Sequence, residues 1–206
     1  PSIGNYIYGT SKEAIWVNLY IGNSTEIQAG KNHITLKQET DYPWNGKVKL
    51  TVSSTTPLNK EIRLRIPGWC KQYTLAVNGQ QQMAPVEKGY AVVQKEWKDG
   101  DEISLHLEMP VEIVEADSRV KQNAGKRAIQ RGPLVYCMEE TDNTKEFDKS
   151  VITPQTTFNC NFETSLLNGV EIIQATNGDK TISLIPYYAW DNREAGKMKV
   201  WIDYIQ

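Results

Sequence analysis

Cysteine is scarce in this chain of 206 residues. Cys70, Cys137 and Cys160 are widely spaced, odd in number and without a CxxC pair, which supports neither a disulfide framework nor a zinc site. They read as reduced or buried thiols. Histidine is scarcer still: His33 and His106 both fall on the polar phase of the runs that contain them, where a solvated ring is expected rather than a base or ligand. An excess of one charge is also missing. With 23 basic and 25 acidic residues the formal net charge is −2, so there is no electrostatic footprint for nucleic acid and no polybasic membrane patch. Apolar runs reach only a handful of residues, far short of the roughly 20 that span a bilayer. No basic, apolar leader opens the chain, and the opening "PSIGNYIY", without an initiator Met, reads as a start inside a longer protein.

What is present is alternation of period two. In "KEIRLRI", Ile62, Leu64 and Ile66 alternate with Glu61, Arg63 and Arg65, and in "DEISLHLEM", Ile103, Leu105, Leu107 and Met109 alternate with polar residues. The same pattern runs through "AIWVNLY" (Ile15, Val17, Leu19), "KVKLTV" (Val48, Leu50, Val52), "YTLAV" (Tyr73, Leu75, Val77) and "GYAVV" (Tyr90, Val92). Leu64 is therefore expected in a core and Arg63 in solvent. Turn chemistry punctuates the runs at Asn45-Gly46, Asn78-Gly79, Asp99-Gly100 and Asn177-Gly178. Short strands with such turns predict an all-β chain of two consecutive antiparallel β-sandwich, jelly-roll-like domains. After Met109-Pro110 the texture becomes more polar, which places the boundary so that the first sandwich covers 9–112 and the second 113–206.

No catalytic set assembles. Glu139 and Glu140 are adjacent at a strand end, point to opposite faces and cannot share a substrate as an acid/base pair. Asp99-Gly100-Asp101 begins like a calcium loop but lacks the later ligands, so a hairpin turn is the better reading. The chain is expected to hold no catalytic residue and no metal. Trp16, Trp69, Trp97 and Trp201 sit in or beside strands and are expected to pack in cores. Trp44, in the turn-like "DYPWNG", is the better ligand candidate. The densest aromatic stretch is "LIPYYAWDNR", where Tyr187, Tyr188 and Trp190 crowd against Asn192 and Arg193. Rings that stack on sugar faces beside groups that fix hydroxyls would form a saccharide platform. The alternative is a strand end: Pro186 cannot donate to a ladder, so the strand stops or bulges there and the aromatics turn a packed corner. Packing in a core or domain interface is favoured, with Asn192 and Arg193 bonding loop carbonyls.

Five segments together, "YIYGTSKEAIWVNLYIGNSTEI", "LRIPGWC", "EWKDGDEISLHLEMPVEI", "GKRAIQRGPLVYCMEE" and "LIPYYAWDNREAGKMKVWI", resemble in this order segments of bacterial glycoside hydrolase family 127 and its close relatives, the β-L-arabinofuranosidases. The resemblance spans residues 6–204. It implies an architecture in which an (α/α)6-barrel catalytic domain precedes two β-sandwich domains, of which this chain resembles only the latter part. Residues 1–8 would then be the end of the barrel's last helix. The family's zinc, held by a glutamate and cysteines, and its nucleophilic cysteine belong to the barrel, and the paired Cys-Cys motif is absent here. Cys70 and Cys137 occupy sandwich segments and do not inherit the nucleophile's role.

The resemblance thus implies a non-catalytic region that braces its missing catalytic barrel, with zinc bound only in that barrel. Plant or glycoprotein arabinose-containing glycans would be reached through the parent, in a bacterial cytoplasm or periplasm. Two alternatives stay open: an autonomous carbohydrate-binding module and a purely structural or adhesive sandwich pair. Fold alone does not separate them.

Overall fold

The computed structural model describes residues 2–29, 32–143 and 147–206. The chain divides into two compact units, Pro1–Met109 and Pro110–Gln206. In the first, a single 3-10 turn over Ile3–Tyr6 leads into eleven strands: β1 (Tyr8–Thr10), β2 (Ala14–Val17), β3 (Asn23–Ala29), β4 (Asn32–Thr40), β5 (Lys47–Ser54), β6 (Leu58–Arg65), β7 (Tyr73–Val77), β8 (Gln80–Gln81), β9 (Val86–Glu87), β10 (Tyr90–Trp97) and β11 (Glu102–Leu107). They form two sheets, ordered β1-β2-β6-β10-β9 and β3-β4-β5-β11-β7-β8. All pairings are antiparallel except β2 with β6.

The period-two pattern becomes burial. Val48, Leu50 and Val52 of β5, Ile103, Leu105 and Leu107 of β11, and Ile62 and Leu64 of β6 are all buried, and side chains from both sheets close one core. Each such aliphatic side chain contributes about 1.5–3 kcal/mol by leaving water. Polar atoms at the core's margin are paired. Trp97 is fully buried and its indole N–H donates to the Lys60 carbonyl at 2.9 Å. The buried Lys60 ammonium in turn donates to the carbonyls of Ser11 and Lys12, both at 2.7 Å, closing the turn before β2.

Two expectations need correction here. In β10 the inward phase is Ala91, Val93 and Trp97, while Tyr90 and Val92 are only half-buried. The large Trp97 decides the phase, because emptying its site would cost more than exposing Val92. Arg63 is not a solvated side chain either. Its guanidinium pairs with Glu61 at 2.7 Å and Glu87 at 3.2 Å, and lies 5.9 Å from the Trp16 ring centre.

Turn residues act for different reasons. Asn78 and Gly79 both take positive φ (52° and 76°), the mirror-image turn that suits the twist of β7 and β8. Gly46 is needed for closeness: a Cβ there would stand 1.9 Å from the Leu107 carbonyl oxygen, beside the 2.9 Å bond from the Leu107 N–H to the Gly46 carbonyl. In the β10–β11 turn, Asp101 accepts from Asn78 Nδ2 and the Lys98 N–H, both at 2.7 Å, and pairs with Lys95 at 2.8 Å. Burial alone would raise its carboxyl, but the Lys95 ammonium and the two N–H donors outweigh it and hold it down to about 2.

The second unit contains β12 (Val111–Glu115), β13 (Lys126–Arg131), β14 (Leu134–Glu139), β15 (Val151–Ile152), β16 (Thr157–Glu163), β17 (Val170–Asn177), β18 (Lys180–Pro186), β19 (Met198–Lys199) and β20 (Ile202–Tyr204). The sheet order is β15-β20-β13-β14-β18-β17-β16, with β12 also on β13 and β19 on β14. Because β12 pairs with β13 along its length, Val111 and Glu112 belong to this unit rather than to the first sandwich. The chain is all-β, built of sandwich-like sheets with one four-residue α-helix among the described residues, α1 (Glu140–Asn143). β14 lies between two hydrophobic clusters: Tyr136 and Met138 enter the main core, while Cys137 packs with Val170, Ile185 and Ala189. No helix among the described residues is long and apolar enough to cross a membrane.

Two outcomes are expected. In urea melts Leu64→Ala costs about 2–5 kcal/mol, and Arg63→Ala gives a smaller loss that shrinks in high salt, where the pair with the exposed Glu87 is screened. Because the folded-state value of Asp101 is depressed, its stabilising contribution is present above the ordinary carboxylate value and lost as pH falls from about 4 toward 2. Asp101→Asn flattens the pH dependence of stability in that window.

Candidate functional site

The six residues singled out from sequence do not form one group. Trp44 lies in the first unit and the other five in the second. Trp44 is 41% exposed, on a turn held by Tyr42, whose ring stacks on Trp69 (centres 6.5 Å apart) and meets Tyr20 edge-on at 5.8 Å.

The corner at 187–193 is built from β18. That strand ends where Pro186 pairs with Tyr136, since a proline has no N–H to carry the ladder on, and a 3-10 turn over Tyr187–Ala189 follows. Ala189 is buried and Trp190 half-buried, packed on the Cys137 cluster, while Tyr187 and Tyr188 are 45% and 52% exposed. The rings of Tyr187 and Trp190 stack with centres 6.3 Å apart. Asn192 Nδ2 donates to the carbonyls of Ala189 and Trp190, both at 3.1 Å, as expected of a turn-fixing amide.

Arg193 does something the sequence did not disclose. Instead of loop carbonyls it grips carboxylates: both terminal nitrogens bond Asp142 of α1 at 2.6 Å, and one also bonds Glu139 at the end of β14. Pairing with Asp142 comes first among the causes that push the guanidinium further above its ordinary value, so it stays cationic. Glu139 also accepts from the Asp191 N–H at 2.9 Å. Asn143 bridges the carbonyls of Glu139 and Ser183 and accepts the Ser183 N–H at 2.8 Å. Glu140 points elsewhere and accepts the Lys197 N–H. The two glutamates are thus structural clamps on the segment 191–197, and the corner presents tyrosine rings from a fixed frame.

The three cysteines are free. Burial pushes the Cys137 thiol up to about 12 and raises Cys70 and Cys160 as well, the reverse of what a thiolate nucleophile needs. No group of three or more His, Cys, Asp or Glu able to hold a metal occurs among the described residues. His33 and His106 are partly exposed, beside Glu26 and Glu108.

Sequence reasoning overlooked a cleft of about 730 Å³ on the outward face of the second sheet of the first unit, walled by β4, β5, β11, β7 and β8. Asp41 and Asn45, from the Trp44 turn, line one end. The outward phase of each strand was readable, but the concavity that makes it a site depends on how the strands pair.

The corner makes a stability prediction. Arg193→Ala leaves the buried Glu139 without its cation and costs about 3–5 kcal/mol, whereas Tyr188→Ala stays within about 0.5 kcal/mol. Denaturant melts of both variants check the contrast.

Comparison with known proteins matches both units. Residues 14–109 match "Beta-L-arabinofuranosidase, GH127 middle domain" and residues 111–203 match "Glycoside hydrolase family 127 C-terminal domain". The non-reducing end β-L-arabinofuranosidase of Bifidobacterium longum subsp. longum is 34% identical across 97% of this chain. A solved GH127 β-L-arabinofuranosidase from Geobacillus stearothermophilus T6 is 36% identical with a TM-score of 0.91 over 99% of the chain, and a second solved GH127 β-arabinofuranosidase is 32% identical with the same TM-score over all of it. The chain spans only 35%, 36% and 37% of those three proteins respectively. The sequence segments, the two all-β units and these matches agree: the chain belongs to glycoside hydrolase family 127, of which it comprises the middle and C-terminal domains.

Proposed function

We propose that this chain is the accessory β-sandwich region of a β-L-arabinofuranosidase-like hydrolase and that it braces a catalytic barrel carried elsewhere in the parent protein. The observation that carries the reading is the extent of the match: two family domains matched over residues 14–109 and 111–203, yet about a third of the length of the relatives. The chemistry of the chain supports it. Cys137 lies among apolar side chains and Cys70 Sγ donates to the Gln72 carbonyl, so the thiols present here do not fit the zinc site that the resemblance implies. That metal and the nucleophile are assigned to the barrel, and arabinose-containing glycans are reached through it. Tyr187 and Tyr188, standing out from a frame pinned by Arg193, fit a contact surface for the barrel. The stacked Tyr187–Trp190 pair is the observation that favours a second reading, a saccharide platform on the same corner.

Assay of the 206-residue chain on p-nitrophenyl β-L-arabinofuranoside, with zinc and thiol added, is expected to give no turnover. Adding the upstream region of the parent is expected to restore turnover and raise the melting temperature of that region, less so with Tyr187→Ala/Tyr188→Ala. Turnover by the chain alone that disappears in Cys70→Ala or Cys137→Ala overturns the assignment. Arabino-oligosaccharide binding lost in a stably folded Trp190→Ala variant favours the platform instead.

A further inference from the structure

We infer that the cleft on the outward face of the β4-β5-β11-β7-β8 sheet is a binding site for an uncharged oligosaccharide, separate from the aromatic corner and independent of the bracing role. Register sets its shape. One row across the sheet reads Glu39, Lys49, Ser104, Ala76, Gln81, and a parallel row reads Lys47, His106, Thr74. Cross-strand partners share a face, so the small side chains of Ser104, Ala76 and Thr74 form a floor, with longer ones rising on both sides. Five strands at about 4.8 Å spacing make the longer row about 19 Å from end to end, room for a chain of several sugar units.

Charge selects the class of ligand. Lys49 is neutralised by Glu102 at 2.5 Å and Glu39 by Lys37 at 2.9 Å, and the Lys37 ammonium holds the Glu39 carboxyl below its ordinary range. Lys47 is offset by Asp41 among the cleft residues. A lining with balanced charge gives neither a polyanion nor a polycation a net attraction. What it offers is hydrogen bonding without a built-in partner: the hydroxyls of Ser104 and Thr74 and the amide of Gln81 make no hydrogen bond to other described residues, while Asn45 and His106 add planar polar groups at the wall. Hydroxyls and amides both donate and accept, which matches a ligand made of hydroxyls. Among the described residues no ring of Trp, Tyr or Phe lines the cleft, so recognition rests on hydrogen bonds and shape rather than on stacking, and a modest affinity is expected.

The test is a titration of the isotope-labelled chain followed through its backbone amide resonances. The ligands are neutral arabino-, xylo- and cello-oligosaccharides, with oligogalacturonate as the charged comparison. The expected result is saturable shifts at Thr74, Ala76, Gln81 and Ser104 with at least one neutral oligosaccharide. Ser104→Phe, which fills the floor, should weaken binding by about tenfold or more, as should the milder Thr74→Ala/Gln81→Ala, with unchanged melting temperatures; Trp190→Ala should leave it intact. The inference is overturned if no neutral oligosaccharide shifts these amides at millimolar concentration, if only oligogalacturonate does, or if the shifts centre on 187–193. It is equally overturned if the isolated upstream region of the parent, rather than a saccharide, occupies the cleft. Failure here leaves the activity and reconstitution results untouched, so the two readings fall separately.

Discussion

A strand has two faces, and a core can claim only as many of them as it can cover. In the first unit the sandwich covers one face of β5, β6, β7 and β11, and that single constraint decides what their residues are for. Leu50, Ile103 and Leu75 lie on the core side and are committed to packing. Lys49, Ser104 and Ala76 lie on the other side, where packing asks little of them. The outward face can therefore carry shape and chemistry without a cost to the fold, and its concavity follows from the register that sets small side chains between longer ones.

In the second unit the constraint is tighter, because β14 is covered on both faces from Tyr136 to Glu139, past the exposed Val135. Tyr136 and Met138 face one cluster and Cys137 the other. A strand so enclosed has no solvent side on which to end, yet its last residue is Glu139, a carboxylate 7% exposed at the side chain. Such a group is tolerated only with a cation and hydrogen bonds around it. Arg193 and the Asp191 N–H meet that demand from the segment after Trp190, while the Asn143 amide satisfies the backbone carbonyl of Glu139. The aromatic corner is held in place because a buried charge has to be satisfied.

Legibility in the sequence divides along the same line. Alternation reports one strand's two faces, so it predicted the all-β class and the inward residues of β5, β6, β7 and β11. It failed in β10, where Tyr90 and Val92 look as apolar as Ala91 and Val93, and only Trp97, at the far end and on the phase of Ala91, separates the two settings. Asn78-Gly79 was legible because its requirement is local, a pair of positive φ angles. Gly46 was legible as a turn residue but not for its actual reason, since the carbonyl it must avoid belongs to Leu107. The partners of Arg193 lie 51 and 54 residues back, beyond anything that periodicity or spacing records.

The Arg193 clamp also shows what a buried charge group is for when stability is not the reason. Two carboxylates share one guanidinium, and Arg193 Nε has no acceptor although it is buried. An apolar replacement of similar shape would pack at less cost in desolvation. The guanidinium nevertheless has a property that an apolar contact lacks: its planar fork is satisfied in only a narrow range of orientations. By joining the segment after Trp190 to the end of β14 and to α1, it fixes the direction in which Tyr187 and Tyr188 leave the surface. A contact that fixes direction is consistent with a surface that has to meet something, whether barrel or saccharide, in one orientation.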